Sequence, residues 1–347
     1  KAPFGVIGGR GVVKNLTIDS TCLFEGSGYC AGIAVTNSGR IENCRNYATV
    51  RVLSTHASGI VAINAGLVQK CLNAGAVTSN CTYGAGIVAN NTGRINQCVN
   101  VGDITVKTVT RSGTTGTSMY GGGITAFSTG MFINNCINAG AVYANTVSGG
   151  IAGMYPHYGT GNYYNRMTNC VNYGIITSAT ALVGAIVGDG TTSGIVKGVY
   201  FDRQILPIMA EGGHNHSGMS GEATSMLVSG NLPEGYDAEI WQFEKGSYPV
   251  LKCLADVPEM KQAAAMVITM NEKEDARNIV SPATLSGNQG ITWSLKNNNA
   301  FAIQGSQLIA PAEVKGVVYD ILTAKGQSLQ KQITIARSAP LPLAGDG

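Results

Sequence analysis

Apolar residues in the first two hundred positions fall in short clusters, and each cluster has a counterpart about 27 residues further on. The clearest recurring phrase is an aliphatic residue, two polar residues, a cysteine, one more residue and an asparagine. It reads Ile41-Glu-Asn-Cys44-Arg-Asn46, Val68-Gln-Lys-Cys71-Leu-Asn73, Ile95-Asn-Gln-Cys98-Val-Asn100, Ile133-Asn-Asn-Cys136-Ile-Asn138 and Met167-Thr-Asn-Cys170-Val-Asn172. The first two intervals are 71−44 = 27 and 98−71 = 27. Two further apolar pieces complete each unit. One is a Gly-Ile pair (Gly32-Ile33, Gly59-Ile60, Gly86-Ile87, Gly123-Ile124, Gly150-Ile151). The other follows the asparagine, as in Gly75-Ala-Val77, Gly102-Asp-Ile104, Gly140-Ala-Val142 and Gly174-Ile-Ile176.

No stretch keeps a 3.6-residue apolar period, so helical repeats are disfavoured. Three strands of a few residues cannot support a sheet within one unit. Stacking unit on unit lets each strand pair in parallel with its equivalent about 4.8 Å away. The pattern therefore predicts an all-β fold: a right-handed parallel β-helix of about seven coils over residues 1–205. Extending the register gives one column: Leu16, Cys44, Cys71, Cys98, Cys136, Cys170, Val199. Aliphatic residues replace cysteine at both ends, so the column is read as reduced, buried core in preference to disulfides or metal ligands. Cys22 is aligned with Val50 and expected in the core. The redox states of Cys30, Cys81 and Cys253 are left open. The asparagines are expected to stack as a structural ladder at a corner.

Spacing breaks twice. The 98→136 interval exceeds 27 by 11, at Thr108–Tyr120, and the 136→170 interval exceeds it by 7, at Met154–Arg166. Insertions on a rigid repeat are where binding is carried. The second holds Tyr155, His157, Tyr158, Tyr163, Tyr164 and Arg166. These either meet a sugar or protein partner, for which tyrosine's apolar face and hydroxyl are suited, or pack onto the coil beneath. His214-Asn-His216 has no third ligand in spacing and reads as an exposed loop rather than a metal site.

After residue 205 the repeat ends. Residues 206–257 are expected to cap the last coil, with Trp241 and Tyr248 in the cap core, because open strand edges invite association. From 258 to 337 alternating segments predict a small antiparallel sandwich: Ala265–Thr269, Ile291–Leu295, Ala300–Ile303, Val317–Thr323 and Gln332–Ile335. Trp293 is its expected anchor, and 338–347 reads as a tail.

The Gly-Ile strands and Gly-x-Ile-x-x-Cys phrases resemble the GLUG-type repeats of bacterial surface proteins. The exit segments Val199-Tyr-Phe-Asp202, Glu222-Ala-Thr-Ser-Met226, Trp241 and Tyr248-Pro-Val-Leu251 match the usual end of such arrays. Ile291-Thr-Trp293-Ser, Gly305, Pro311 and Leu322-Thr-Ala324 resemble the reduced bacterial immunoglobulin-like domain. The resemblance implies an adhesin-like protein of the cell surface or secreted space. It would be a monomer binding surface glycans or extracellular and host proteins, with no cofactor. Membrane contact would come only through a lipid anchor upstream of Lys1.

Charge and chemistry change this picture little. Charged residues are 12% of the chain, and no apolar run is long enough to span a membrane. Residues 1–200 carry 12 Lys/Arg against 5 Asp/Glu, spread one or two per repeat, which does not make a nucleic-acid footprint. Polysaccharide lyases and hydrolases also use β-helices, so an enzyme of that kind is one alternative, and a purely structural stalk that holds another module off the cell is the other. Its site needs converging carboxylates. Asp19, Glu25, Glu42, Asp103 and Asp189 share no register, and a non-catalytic role is expected.

Overall fold

The structure is a computed structural model that describes residues 1–80, 82–107, 119–156, 166–180, 182–190, 195–212, 217–287, 290–297 and 300–339. Strands of successive coils stack in register in parallel sheets, the architecture of a parallel β-helix. Around Cys98 one coil runs through Tyr83–Ala85, Val88–Asn91, Arg94–Asn96, Val99–Asn100 and Ile104–Val106. Each of these pairs with a strand 27 residues earlier, as in Ala57↔Gly84, Val61↔Val88, Val68↔Ile95, Leu72↔Val99 and Val77↔Ile104. Four sheets result. Sheet I has six strands from Cys30–Ala31 to Val183–Gly184, and sheet II has seven from Phe4–Ile7 to Val187–Asp189. Sheet III has thirteen, with two short strands in most coils, and sheet IV six from Leu23–Gly26 to Ile176–Ser178.

The coil thus holds five short strands where three were expected, and the Gly-Ile pair is a corner rather than a strand. The reason is steric. A Cβ on Gly59 would lie 2.2 Å from the Gly86 carbonyl and 2.2 Å from the Asn73 side chain. Gly32, Gly86, Gly123 and Gly150 meet the same two neighbours, the next coil's corner and a ladder asparagine. The two signature residues of the repeat are therefore two sides of one contact. Asn46, Asn73, Asn100, Asn138 and Asn172 are fully buried; each of the first four donates Nδ2 to the next Oδ1 at 2.8–2.9 Å, and Asn172 donates to the Ala185 carbonyl at 2.9 Å. A second ladder, Asn37 to Asn64 to Asn91 to Ser128, runs at 2.8–3.0 Å and was not read from the sequence.

Each column cysteine sits at the bend inside sheet III. It follows a residue in left-handed conformation: Asn15, Asn43, Lys70, Gln97, Asn135 and Asn169 have φ of 51–57°, and Gly198 has 63°. The asparagine bias at this position, ending in glycine, is the sequence trace of that geometry. The column cysteines are free and buried, Val199 pairs with Cys170, and Leu16 is half-buried. Each thiol donates to the carbonyl two residues back, at 3.1–3.4 Å. Burial pushes the Cys71, Cys98 and Cys136 thiols up, away from the reactive thiolate. Cys22 departs from expectation: it is exposed, and Phe24 pairs with Val50. A turn held by Asp19, which accepts the Thr21 and Cys22 N–H groups, shifts the first coil by two residues.

The connector extends the stack and also lies along its flank. Met219–Glu222 pairs with Ile195–Asp202, adding a strand to sheet III. The rest covers the outward column Leu72, Val99, Ile137, Val171 with Trp241, Tyr248, Leu251, Leu254 and Met260. After Arg45 that column is apolar from Leu72 to Val171, so it needs a cover. Asp202 joins the parts. Fully buried, its carboxylate accepts the Tyr248 and Thr224 hydroxyls at 2.6 and 2.7 Å and the Gln204 and Ile205 N–H groups at 2.9 and 3.2 Å.

Two antiparallel sheets follow, one of four strands and one of three. Ala265 ends a helix, Pro258–Ala265, instead of opening a strand; the strand is only Ile268–Thr269. Proline in the first turn followed by Glu, Met, Lys, Gln and Ala favours helix. Ala283–Leu285 and Gln307–Ile309 are strands not expected from the sequence. Trp293 is half-buried and donates to the Ser286 carbonyl, while Leu308, Leu322, Ile333 and Ile335 fill the core. This unit is docked onto the coils. Gln204 donates to Asn271 and Glu274, and Lys331 reaches the Tyr173 carbonyl. Among the described residues no helix is long and apolar enough to cross a membrane.

Candidate functional site

The outer faces of sheets I and II press together on glycine and alanine. A Cβ on Gly122 would lie 1.8 Å from the Thr125 carbonyl, and one on Gly153 2.8 Å from the Gly121 carbonyl. Away from the Gly-Ile corner the strands part, and an aromatic rail stands where they do. Tyr29, His56, Tyr83 and Tyr120 each lie three residues before a corner glycine, at 32, 59, 86 and 123. Pairing places His56 beside Tyr83 and Tyr83 beside Tyr120, one rung apart. Ring centroids are 4.8 Å for Tyr29–His56, 4.4 Å for His56–Tyr83 and 5.5 Å for Tyr83–Tyr120. From sheet II, Phe127 stacks on Tyr83 at 5.6 Å and 9°. The rail is partly exposed, Tyr29 most at 39%, and it stops at Val147, which is buried.

The two insertions bracket this surface. The first enters sheet I at Tyr120, and the second leaves sheet II after Met154, the strand partner of Phe127. Their roots are anchored in the core by Met119 and Tyr155, at 2% and 1% exposure. Tyr155 is therefore no surface group: its ring lies in the coil core, and its hydroxyl has no hydrogen-bond partner among the described residues. Burial pushes that hydroxyl's pKa up. His157, Tyr158, Tyr163 and Tyr164 lie outside the described residues, as do His214, His216 and Cys81. Arg166 is exposed and belongs to sheet III. Its guanidinium lies 5.7 Å from the Phe132 ring centroid, and that of Arg94 lies 5.4 Å from the same ring.

The rail carries no fixed charge. Burial lowers the His56 pKa, so its imidazole is neutral at pH 7. A neutral aromatic strip with one ring per rung suits apolar contact with an extended, uncharged ligand. Glu25 is paired with Arg51 on sheet IV and Glu42 with Arg40 on sheet III, while Asp189 continues the sheet II column of Phe127 and Met154, two coils beyond Phe127. Asp103 lines a cavity of about 330 Å³ between the coils and the C-terminal unit, which Lys331 also lines. Burial raises the Asp103 carboxyl and pushes Lys331 down to about 8. Lys331 lies over the stacked rings of Tyr173 and Tyr248, 5.9 and 5.6 Å from their centroids, and so fastens the two units together. No group of three or more His, Cys, Asp or Glu that could hold a metal ion occurs among the described residues. No family model, curated protein or solved structure matches this chain.

Proposed function

We propose that the chain is a non-catalytic, adhesin-like protein of the extracellular space or cell surface. It binds neutral glycan chains, or an uncharged strip of an extracellular protein, across the outer faces of sheets I and II. The repeats belong in this reading to a right-handed helix of about seven GLUG-type coils, and the C-terminal unit to the bacterial immunoglobulin-like class. The observation that carries it is the rail Tyr29–His56–Tyr83–Tyr120 bracketed by two insertions. Loops and aromatic side chains on a rigid scaffold are the usual parts of a recognition surface. The dispersal of Glu25, Glu42, Asp103 and Asp189 over separate faces favours binding over hydrolysis.

The test is an array of glycans and extracellular-matrix proteins probed with the full chain and two triple-alanine variants. One variant replaces Tyr29, Tyr83 and Tyr120; the other replaces Tyr158, Tyr163 and Tyr164. Binding that at least one variant loses is the expected result. Binding that both variants keep would move the site off this face. Cleavage of a bound polysaccharide would replace the reading with the enzymatic one.

A further inference from the structure

The connector differs from the coils in charge. Residues 206–257 hold Glu211, Glu222, Glu234, Asp237, Glu239, Glu244 and Asp256 against Lys245 and Lys252, a balance of 2 − 7 = −5. Residues 1–200 stand at 12 − 5 = +7. Within this acidic segment lies a cavity of about 220 Å³, separate from the rail and lined by Tyr200, Tyr236, Phe243, Glu222, Met226 and Leu232 among others. Its rings form walls at different angles. Tyr200 and Tyr236 are 5.9 Å apart and inclined by 31°, while Phe243 stands at 82° to Tyr236 with centroids 5.7 Å apart. Tyr236 is locked by donating its hydroxyl to the Gly198 carbonyl at 2.8 Å. Tyr200 and Phe243 are half-exposed, and Met226 and Leu232 are open to solvent at 60% and 43%. Among the described residues no Lys, Arg or His lines the cavity.

Rings at right angles offer their negative faces to a compact cation, and a carboxylate at the wall adds charge that water does not fully screen. We propose that this cavity binds a quaternary ammonium group, of the kind found in choline. The apolar shell of such a cation matches the aliphatic rim, and it needs no hydrogen-bond acceptor. Burial raises the Tyr200 hydroxyl, and the nearby Glu222 and Glu234 carboxylates raise it further, which reports a negative field at the same place. That field also sets the source. A free choline-type cation fits, whereas phosphocholine or glycine betaine brings an anion toward Glu222 and Glu234 and binds more weakly.

Trp241 provides the readout, since it lies 4.9 Å from Tyr236 and 6.1 Å from Phe243 and is one of only two tryptophans in the chain. Titrating the Trp293→Phe full chain with choline should change its fluorescence saturably. 3,3-Dimethyl-1-butanol, the uncharged isostere, should bind about tenfold more weakly. Glu222→Gln should erase most of that difference without changing the melting temperature, and Phe243→Ala should abolish binding. Equal affinity for choline and the alcohol would mean a merely apolar pocket and overturn the proposal. So would the absence of a saturable signal at millimolar choline, confirmed by calorimetry. Tighter binding of phosphocholine than of choline would overturn the assignment of the source.

Discussion

The stacked coils and the connector both bury polar side chains, but they satisfy them in opposite ways. In the coils a buried asparagine bonds to a copy of itself one rung away, so each partner is supplied by the repeat. At the junction with the connector, Asp202 takes four donors from four different residues, up to 46 positions distant in sequence. Repetition spreads the cost of a defect over neighbours. A unique junction concentrates it.

The sharpest way to break this comparison is Asp202→Ala. It leaves the Tyr248 and Thr224 hydroxyls and two N–H groups without their acceptor. The expected loss is about 4 kcal/mol in urea unfolding, near the top of the range for single substitutions. A loss below about 1 kcal/mol would show that the connector is not held at this point.

The docking of the C-terminal unit supplies the next test. Burial holds Lys331 at about 8, below the usual 10.5, so between these values the unfolded chain binds more protons than the folded one. Stability should therefore rise with pH across that window, by roughly 3 kcal/mol relative to Lys331→Met. Parallel curves for the two proteins from pH 8 to 10.5 would mean that the ammonium is solvated.

Within the coils, Asn100→Ala removes the acceptor of Asn73 and the donor to Asn138 and should cost about 2 kcal/mol. Asn46→Ala, at the first ladder position, cuts one such link and should cost less. Equal losses at both positions would show that the ladder adds nothing to the separate bonds. The smallest expected effect is at Tyr155→Phe. Its hydroxyl is buried without a partner among the described residues, so removal should be neutral or stabilising by about 1 kcal/mol in thermal unfolding. Destabilisation of that size would reveal a partner for the hydroxyl.

The same contrast explains what could be read from the chain. The parallel stack was legible because Cys71 and Cys98 recur in phase, and phase is what in-register pairing requires. The asparagine ladder was legible for the same reason. The five-strand path of a coil was not, because corners depend on carbonyls of the neighbouring coil, such as Gly86 above Gly59, that one unit does not contain. The aromatic rail left a trace three residues before four of the five corner glycines. The change from tyrosine to histidine at position 56 breaks its uniformity, whereas the second insertion concentrates its tyrosines in one stretch. Tyr155 belonged to that insertion by composition and to the core by position. The path of the connector along the flank was signalled only by Leu72, Val99, Ile137 and Val171, apolar residues beside the cysteines that a solvent-facing column would not carry.

The cysteine column has a use as a recorder. Its thiols are sealed in consecutive coils and react only when their own coil opens. If opening spreads from coil to coil, as contacts limited to neighbours require, a bulky maleimide will modify Cys44, Cys71, Cys98, Cys136 and Cys170 in spatial order. Peptide mass mapping against time would then give the direction and speed of the unfolding front, with one probe in each of five coils and no engineered label.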